Sequence, residues 1–207
     1  ALHLQNIYDF PTIYILPFWI IMLGEKAFYQ CRFLETIIFP MVVTETETVI
    51  QPSITTIGCS AFEDCILLSN ITIPKSVTNI DKKAFFRCIS LTSMTIPDSV
   101  TTIGEYAFYG CNSMTSITIG SSVTTIGNRA FNGCSSLDNL TIPDSVTSIK
   151  SDTFSGCSSL KKVTIPDSVS SIGWSTFSDC SSLVKVTIPP SVNYLGRFTF
   201  SGCSSLR

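Results

Sequence analysis

Apolar positions return along this chain on a fixed beat. Cysteines stand at 65, 88, 111, 134, 157, 180 and 203, and phenylalanines at 62, 85, 108, 131, 154, 177 and 200, so both columns keep a strict 23-residue period. One unit carries its apolar and special positions at Cys88, Leu91, Met94, Ile96, Pro97, Val100, Ile103, Gly104, Ala107 and Phe108. An earlier pair, Phe28 and Cys31, precedes Phe62 and Cys65 by one period plus the 11-residue insertion MVVTETETVIQ at 41–51. A unit this short cannot bury its apolar face alone, so neighbours stack and share a continuous core. The pattern predicts a solenoid.

Inside the unit, alternation of the type Leu140-x-Ile142 marks a short strand with one buried face. Proline at 74, 97, 143, 166 and 189 ends it, lacking the N–H that would continue a ladder. Gly120 takes the proline's place once. Val-x-x-Ile then predicts a second, shorter extended segment, and glycine at 104, 127, 173 and 196 predicts a tight corner. The following x-x-Ala-Phe-x-Gly-Cys predicts a turn of helix with Phe turned inward. The chain divides into a degenerate N-terminal coil or cap (1–31), a coil carrying the insertion (32–65), six regular repeats (66–203) and the start of a further repeat (204–207). Because it begins at Ala1 rather than Met and stops inside a repeat, it is expected to be a piece of a longer protein.

The repeat L-x-x-I-x-I-P … I-G-x-x-A-F … C resembles the BspA-like leucine-rich repeat family, over about residues 24–207. That resemblance implies a right-handed, curved, parallel β-solenoid with short helical turns and a sheet on its concave side. It also implies a class of bacterial and protist surface proteins that bind host or matrix proteins. The chain departs from the family pattern at 41–51, at Gly120 and in its apolar N-terminus.

Composition narrows the functions. Charged residues make up 14% of the 207-residue chain, against roughly 25% in typical soluble domains, and Ser and Thr fill the deficit. The formal net charge of −2 argues against an electrostatic grip on nucleic acid. The single histidine, His3, leaves no basis for histidine acid–base chemistry or metal binding. No Ser/His/Asp or Cys/His set, phosphate-cradling glycine loop or registered carboxylate pair is present, so no enzyme and no cofactor are expected.

Eight of the nine cysteines share one repeat column, at 31, 65, 88, 111, 134, 157, 180 and 203. Side chains stacked in one direction lack disulfide geometry, and thiolates spaced a whole repeat apart have no zinc-finger form. They are expected to fill a tight corner as small hydrophobes. Cys59, in IGCSAF, lies outside the column and is expected on the surface, either reactive or incidental.

Function in a solenoid lies on outward positions. Thr72, Thr95, Thr118, Thr141, Thr164 and Thr187 form one such column on the main strand, flanked by Lys161, Lys162 and Lys185 at one end. Three readings stay open: threonines that simply suit strands and pair across them, a flat hydroxyl-rich surface that docks a protein or glycan, or a lattice matching ice. The sequons Asn70-Ile-Thr72 and Asn139-Leu-Thr141 fall on the same face; glycosylation there would cover it.

The run IYILPFWIIML at 13–23 contains Pro17, has Asp9 and Glu25 as its nearest acids, and is too short for the ~20 residues of a spanning helix. It keeps the repeat register, Leu16-Pro17 and Leu23-Gly24 aligning with Ile73-Pro74 and Ile80-Asp81, but its outward positions Ile13, Ile15, Trp19, Ile21 and Met22 are apolar. These form a candidate apolar interface, centred on Trp19, Ile21 and Met22 and covered by upstream residues or another subunit; a membrane-proximal or adhesive patch and a degraded signal segment are the alternatives. The acids of the TETET insertion are expected in a solvated loop.

The sequence thus predicts a non-enzymatic protein–protein interaction module. The resemblance places it at the cell surface or outside the cell as an adhesin-type solenoid, binding host or extracellular-matrix proteins through its concave strand face. An intracellular, cytoplasmic scaffold is the alternative. Membrane contact is expected only through the N-terminal coil, and self-association at open solenoid ends.

Overall fold

The computed structural model describes residues 13–16, 22–39, 42–43, 49–50 and 54–207. The chain winds as a parallel β-solenoid in which each coil contributes two short strands. The main strands are Ile13–Ile15, Thr36–Ile38, Asn70–Ile71, Ser93–Thr95, Ser116–Thr118, Asn139–Thr141, Lys162–Thr164 and Lys185–Thr187. They follow the repeat register: Ile15 pairs with Ile38, Ile37 with Ile71, Thr118 with Thr95, and Thr164 with both Thr141 and Thr187. The shorter strands, such as Thr102–Ile103 and Thr125–Ile126, stack in the same way beside them. Their ladder reaches back to Leu23, which bridges to Ile57.

The core follows the columns. Phe28, Phe62, Phe85, Phe108, Phe131, Phe154 and Phe177 are buried, and consecutive rings stack face to face at 5.1–5.7 Å with interplanar angles of 2–12°. The rings form one continuous stack through the core.

The expected helical turns are absent from the described residues. The Ala-Phe segment is a train of tight turns closed by i→i+3 bonds, from Ala107 N–H to Gly104 O, Tyr109 N–H to Tyr106 O and Cys111 N–H to Phe108 O. The intervening amides of Tyr106, Phe108 and Gly110 donate to the next coil instead. Left-handed residues interrupt any helix twice per coil, at Tyr106 (φ 58°) and Gly110 (φ 68°), as the third residue of a type II turn requires.

The predicted corner glycines serve a different purpose. Gly104 and Gly127 do not have positive φ; a Cβ on Gly104 would lie 2.5 Å from the backbone of Asp81 and Lys82, and one on Gly127 2.5 Å from Glu105 N. They allow close approach of one coil to the next. Asp81 and Lys150 occupy the same column, so the position accepts a side chain in two of the coils.

Four residues of the insertion are described. Val42–Val43 and Val49–Ile50 pair antiparallel, Val42 with Ile50 and Val43 with Val49. The acids at 45 and 47 lie outside the described residues.

Candidate binding face

Three columns of hydroxyls are tied into the coil-to-coil framework. Ser76, Ser168 and Ser191 donate to the carbonyls of Ile54, Val146 and Val169 at 2.7–2.8 Å. Thr78, Thr101, Thr124 and Ser170 donate to the carbonyl of the equivalent residue one coil earlier. Ser135, Ser158, Ser181 and Ser204 repeat that arrangement. These coil-to-coil hydrogen bonds give part of the chain's Ser and Thr content a structural role.

The main-strand threonines are different. Thr72, Thr95, Thr118, Thr141, Thr164 and Thr187 are all exposed. Among the described residues their hydroxyls make no intramolecular hydrogen bond, and no Thr–Thr bond joins neighbours in register. They line shallow clefts rather than a flat surface. One of about 600 Å³ runs past Ile38, Phe39, Thr72, Pro74, Thr95 and Pro97. The next, about 550 Å³, takes Thr95, Thr118 and Thr141 against Asp98, Gly120, Pro143 and Asp144. A third, about 660 Å³, holds Lys161, Lys162, Lys185, Thr164 and Thr187 against Asp167 and Pro189. The clefts follow one another as a trough lined by the threonines and by the segments that end the strands, among them Pro74-Lys75, Gly120-Ser121, Pro143-Asp144 and Pro189-Pro190. A trough is poorly shaped to match a planar ice lattice. Ser121 donates from both its amide and its hydroxyl to Asp98 Oδ1 at 2.7 and 3.0 Å, holding that carboxyl below its ordinary value and tying two of these segments together.

The trough changes character along its length. Ile13, Ile15 and Ile38 are exposed at the N-terminal end. Met22 is 57% exposed, while Trp19 and Ile21, named with it as an apolar interface, lie outside the described residues. Among those residues no helix is long and apolar enough to cross a membrane. Asn70 and Asn139 of the sequons are exposed on the main-sheet face.

The column thiols are structural. Sγ of Cys88, Cys111, Cys134, Cys157 and Cys180 donates to the carbonyl of the phenylalanine in the preceding coil at 3.1–3.4 Å. Burial pushes the Cys134 and Cys180 thiols up to about 12, and raises those of Cys88, Cys111 and Cys157 as well. Cys59, expected on the surface, is half-buried, with Sγ 3.8 Å from Ser60 Oγ.

Two surface groups had no counterpart in the sequence reading. On the turn side, Phe86 stacks on Tyr109 at 4.9 Å beside Tyr106, with Lys82, Lys83 and Arg129 over the rings. Trp174 Nε1 donates to Tyr194 Oη at 2.6 Å. The available signal was an aromatic residue in a column that is small or polar in other coils: Tyr106 and Tyr109 for the first group, Trp174 and Tyr194 for the second.

Known structures share this architecture. A leucine-rich repeat protein from Bacteroides ovatus is 31% identical over 92% of this chain, with a TM-score of 0.81. The T. pallidum leucine rich repeat protein is 26% identical over 90%, with a TM-score of 0.74. A leucine rich cell surface protein from Faecalibacterium prausnitzii is 26% identical over 94%, with a TM-score of 0.53. This chain spans 49% of the Bacteroides protein, 86% of the T. pallidum protein and 65% of the Faecalibacterium protein. No curated protein matches it. The family model for the BspA type leucine rich repeat region matches in six copies, over residues 9–50, 23–158 and 124–207. With its period, its paired strands and its stacked phenylalanines, this chain belongs to the BspA type leucine-rich repeat family.

Proposed function

We propose that the chain is a non-enzymatic, surface-displayed binding module that holds a protein ligand in the trough of its main sheet. The observation that carries this reading is the run of clefts along the main sheet, into which the exposed Thr72–Thr187 column brings hydroxyls that make no bond among the described residues and are left to an incoming partner. Binding then consists of many modest contacts spread over several coils, with trough length setting affinity. Similarity to a protein described as a leucine rich cell surface protein supports display outside the cell, and host or matrix proteins are the ligands to screen.

Protease shaving of intact source cells tests display. Release of repeat peptides from the Lys150–Lys185 region before lysis is the expected result. Protection of every repeat peptide until lysis would overturn surface display and direct attention to an intracellular scaffold.

A further inference from the structure

Cations on the two sides of this solenoid are treated differently. On the turn side four cations have an acid beside them, Lys82 with Glu105 at 2.8 Å, Lys83 with Glu63 at 3.2 Å, Arg87 with Asp64 at 3.6 Å and Arg129 with Asp152 at 3.3 Å, while Arg197 has none among the described residues. On the sheet side none of Lys161, Lys162, Lys185 and Arg207 forms an ion pair among the described residues. Lys162 and Lys185 are direct neighbours in parallel register, and like charges placed opposite each other cost a sheet stability. Arg207 joins them through its amide, which donates to Val184 O at 3.1 Å in the column that also holds Lys161. Asp167 lines the same cleft without pairing to any of them. Asp138, one coil before Lys161, accepts from Asn139 Nδ2 at 2.9 Å.

We infer that this end of the trough holds an acidic, extended peptide segment of a protein partner. The inference rests on the trough being the binding face and adds the chemistry of what it receives. An unpaired row of ammonium groups in a cleft of about 660 Å³ is complementary to carboxylates, and their mutual repulsion is relieved when an anion arrives. Val184, 49% exposed among the lysines, favours a peptide over a sulfated glycan. A peptide strand can set an apolar side chain on Val184 while offering carboxylates to its neighbours; a glycan sulfate satisfies only the charges.

The test is selection of short random peptides displayed on phage against the full chain, repeated with the exposed-site variant Lys161→Gln/Lys162→Gln/Lys185→Gln. Expected are peptides enriched in Asp and Glu beside an apolar residue. Their affinity should fall steeply with salt and drop at least about tenfold in the triple variant, or ~1.4 kcal/mol. Acidic peptides that bind the triple variant equally well overturn the inference. Peptides without acidic enrichment that are lost on Thr118→Arg overturn it too, while leaving the trough as the binding face. Selected peptides indifferent to both changes remove both readings. Binding of heparin through the three lysines, with no acidic peptide selected, assigns the cleft to a sulfated glycan instead.

Discussion

The buried column cysteines Cys88, Cys111, Cys134, Cys157 and Cys180 each supply an S–H to a phenylalanine carbonyl in the preceding coil. Ionising one would place a charge in an apolar stack, so burial raises its pKa. The sign of the effect on stability follows. The unfolded thiol has its ordinary value near 9.0, while folded Cys134 and Cys180 hold their protons to about 12. Below pH 9 both states are protonated and the stabilisation is complete; between 9 and 12 only the unfolded state releases the proton, so stability falls as pH rises. In reductant, the thermal midpoint should stay level up to about pH 9 and then fall, less steeply in Cys134→Ala. A midpoint insensitive to alkali would contradict this. Brief alkylation at neutral pH should modify Cys59 and spare the central column, as peptide mass mapping would read. Phe131→Ala opens a hole in the ring stack and should cost ~3–5 kcal/mol in urea unfolding. Phenylalanine and cysteine columns were legible in the sequence because their side chains are unambiguous. The left-handed positions were not: Tyr106, Arg129 and Phe198 adopt φ of 56–59° although nothing in those residue types announces it. The close-approach glycines were likewise mistaken for turn residues, since residue type alone does not separate the two uses.

Among the elements, the insertion offers the cleanest test of repeat logic. Phe28 and Phe62 stack at 5.3 Å, as closely as rings in regular coils, although the whole insertion lies between them in the chain. The ring stack is therefore unbroken across the insertion. Deleting 41–51 restores the regular repeat spacing, and loop length carries only a slow entropic cost. The shortened chain should unfold cooperatively within a few degrees of the parent by circular dichroism; loss of cooperativity would mean that the hairpin supports the coils. The insertion's place was legible from the broken period. Its antiparallel pairing was not, because strands two residues long are too short to show alternation. The helical expectation failed for a related reason: a run of tight turns and a single helical turn bury a Phe and a Cys at similar spacing.

At the scale of the molecule, stability accumulates coil by coil, while recognition is spread along one face. The sequence could name the outward threonines because period and alternation fix their direction. It could not separate them from the bonded Thr78–Ser170 and Ser135–Ser204 columns, since that distinction depends on which side chain reaches a carbonyl in the preceding coil. The part of the strand-ending segments in lining the trough was hidden too, because their Pro and Gly read as punctuation. The most direct measurement is surface plasmon resonance of the chain against a panel of purified matrix and host-surface proteins, comparing Thr118→Arg/Thr141→Arg with Lys150→Glu on the short-strand side. The two arginines fill the middle of the trough and should weaken binding at least about tenfold, or ~1.4 kcal/mol, with the thermal midpoint unchanged, while Lys150→Glu leaves binding intact. Binding that survives both arginines, or that Lys150→Glu removes equally, would contradict the assignment of the threonine trough as the binding face.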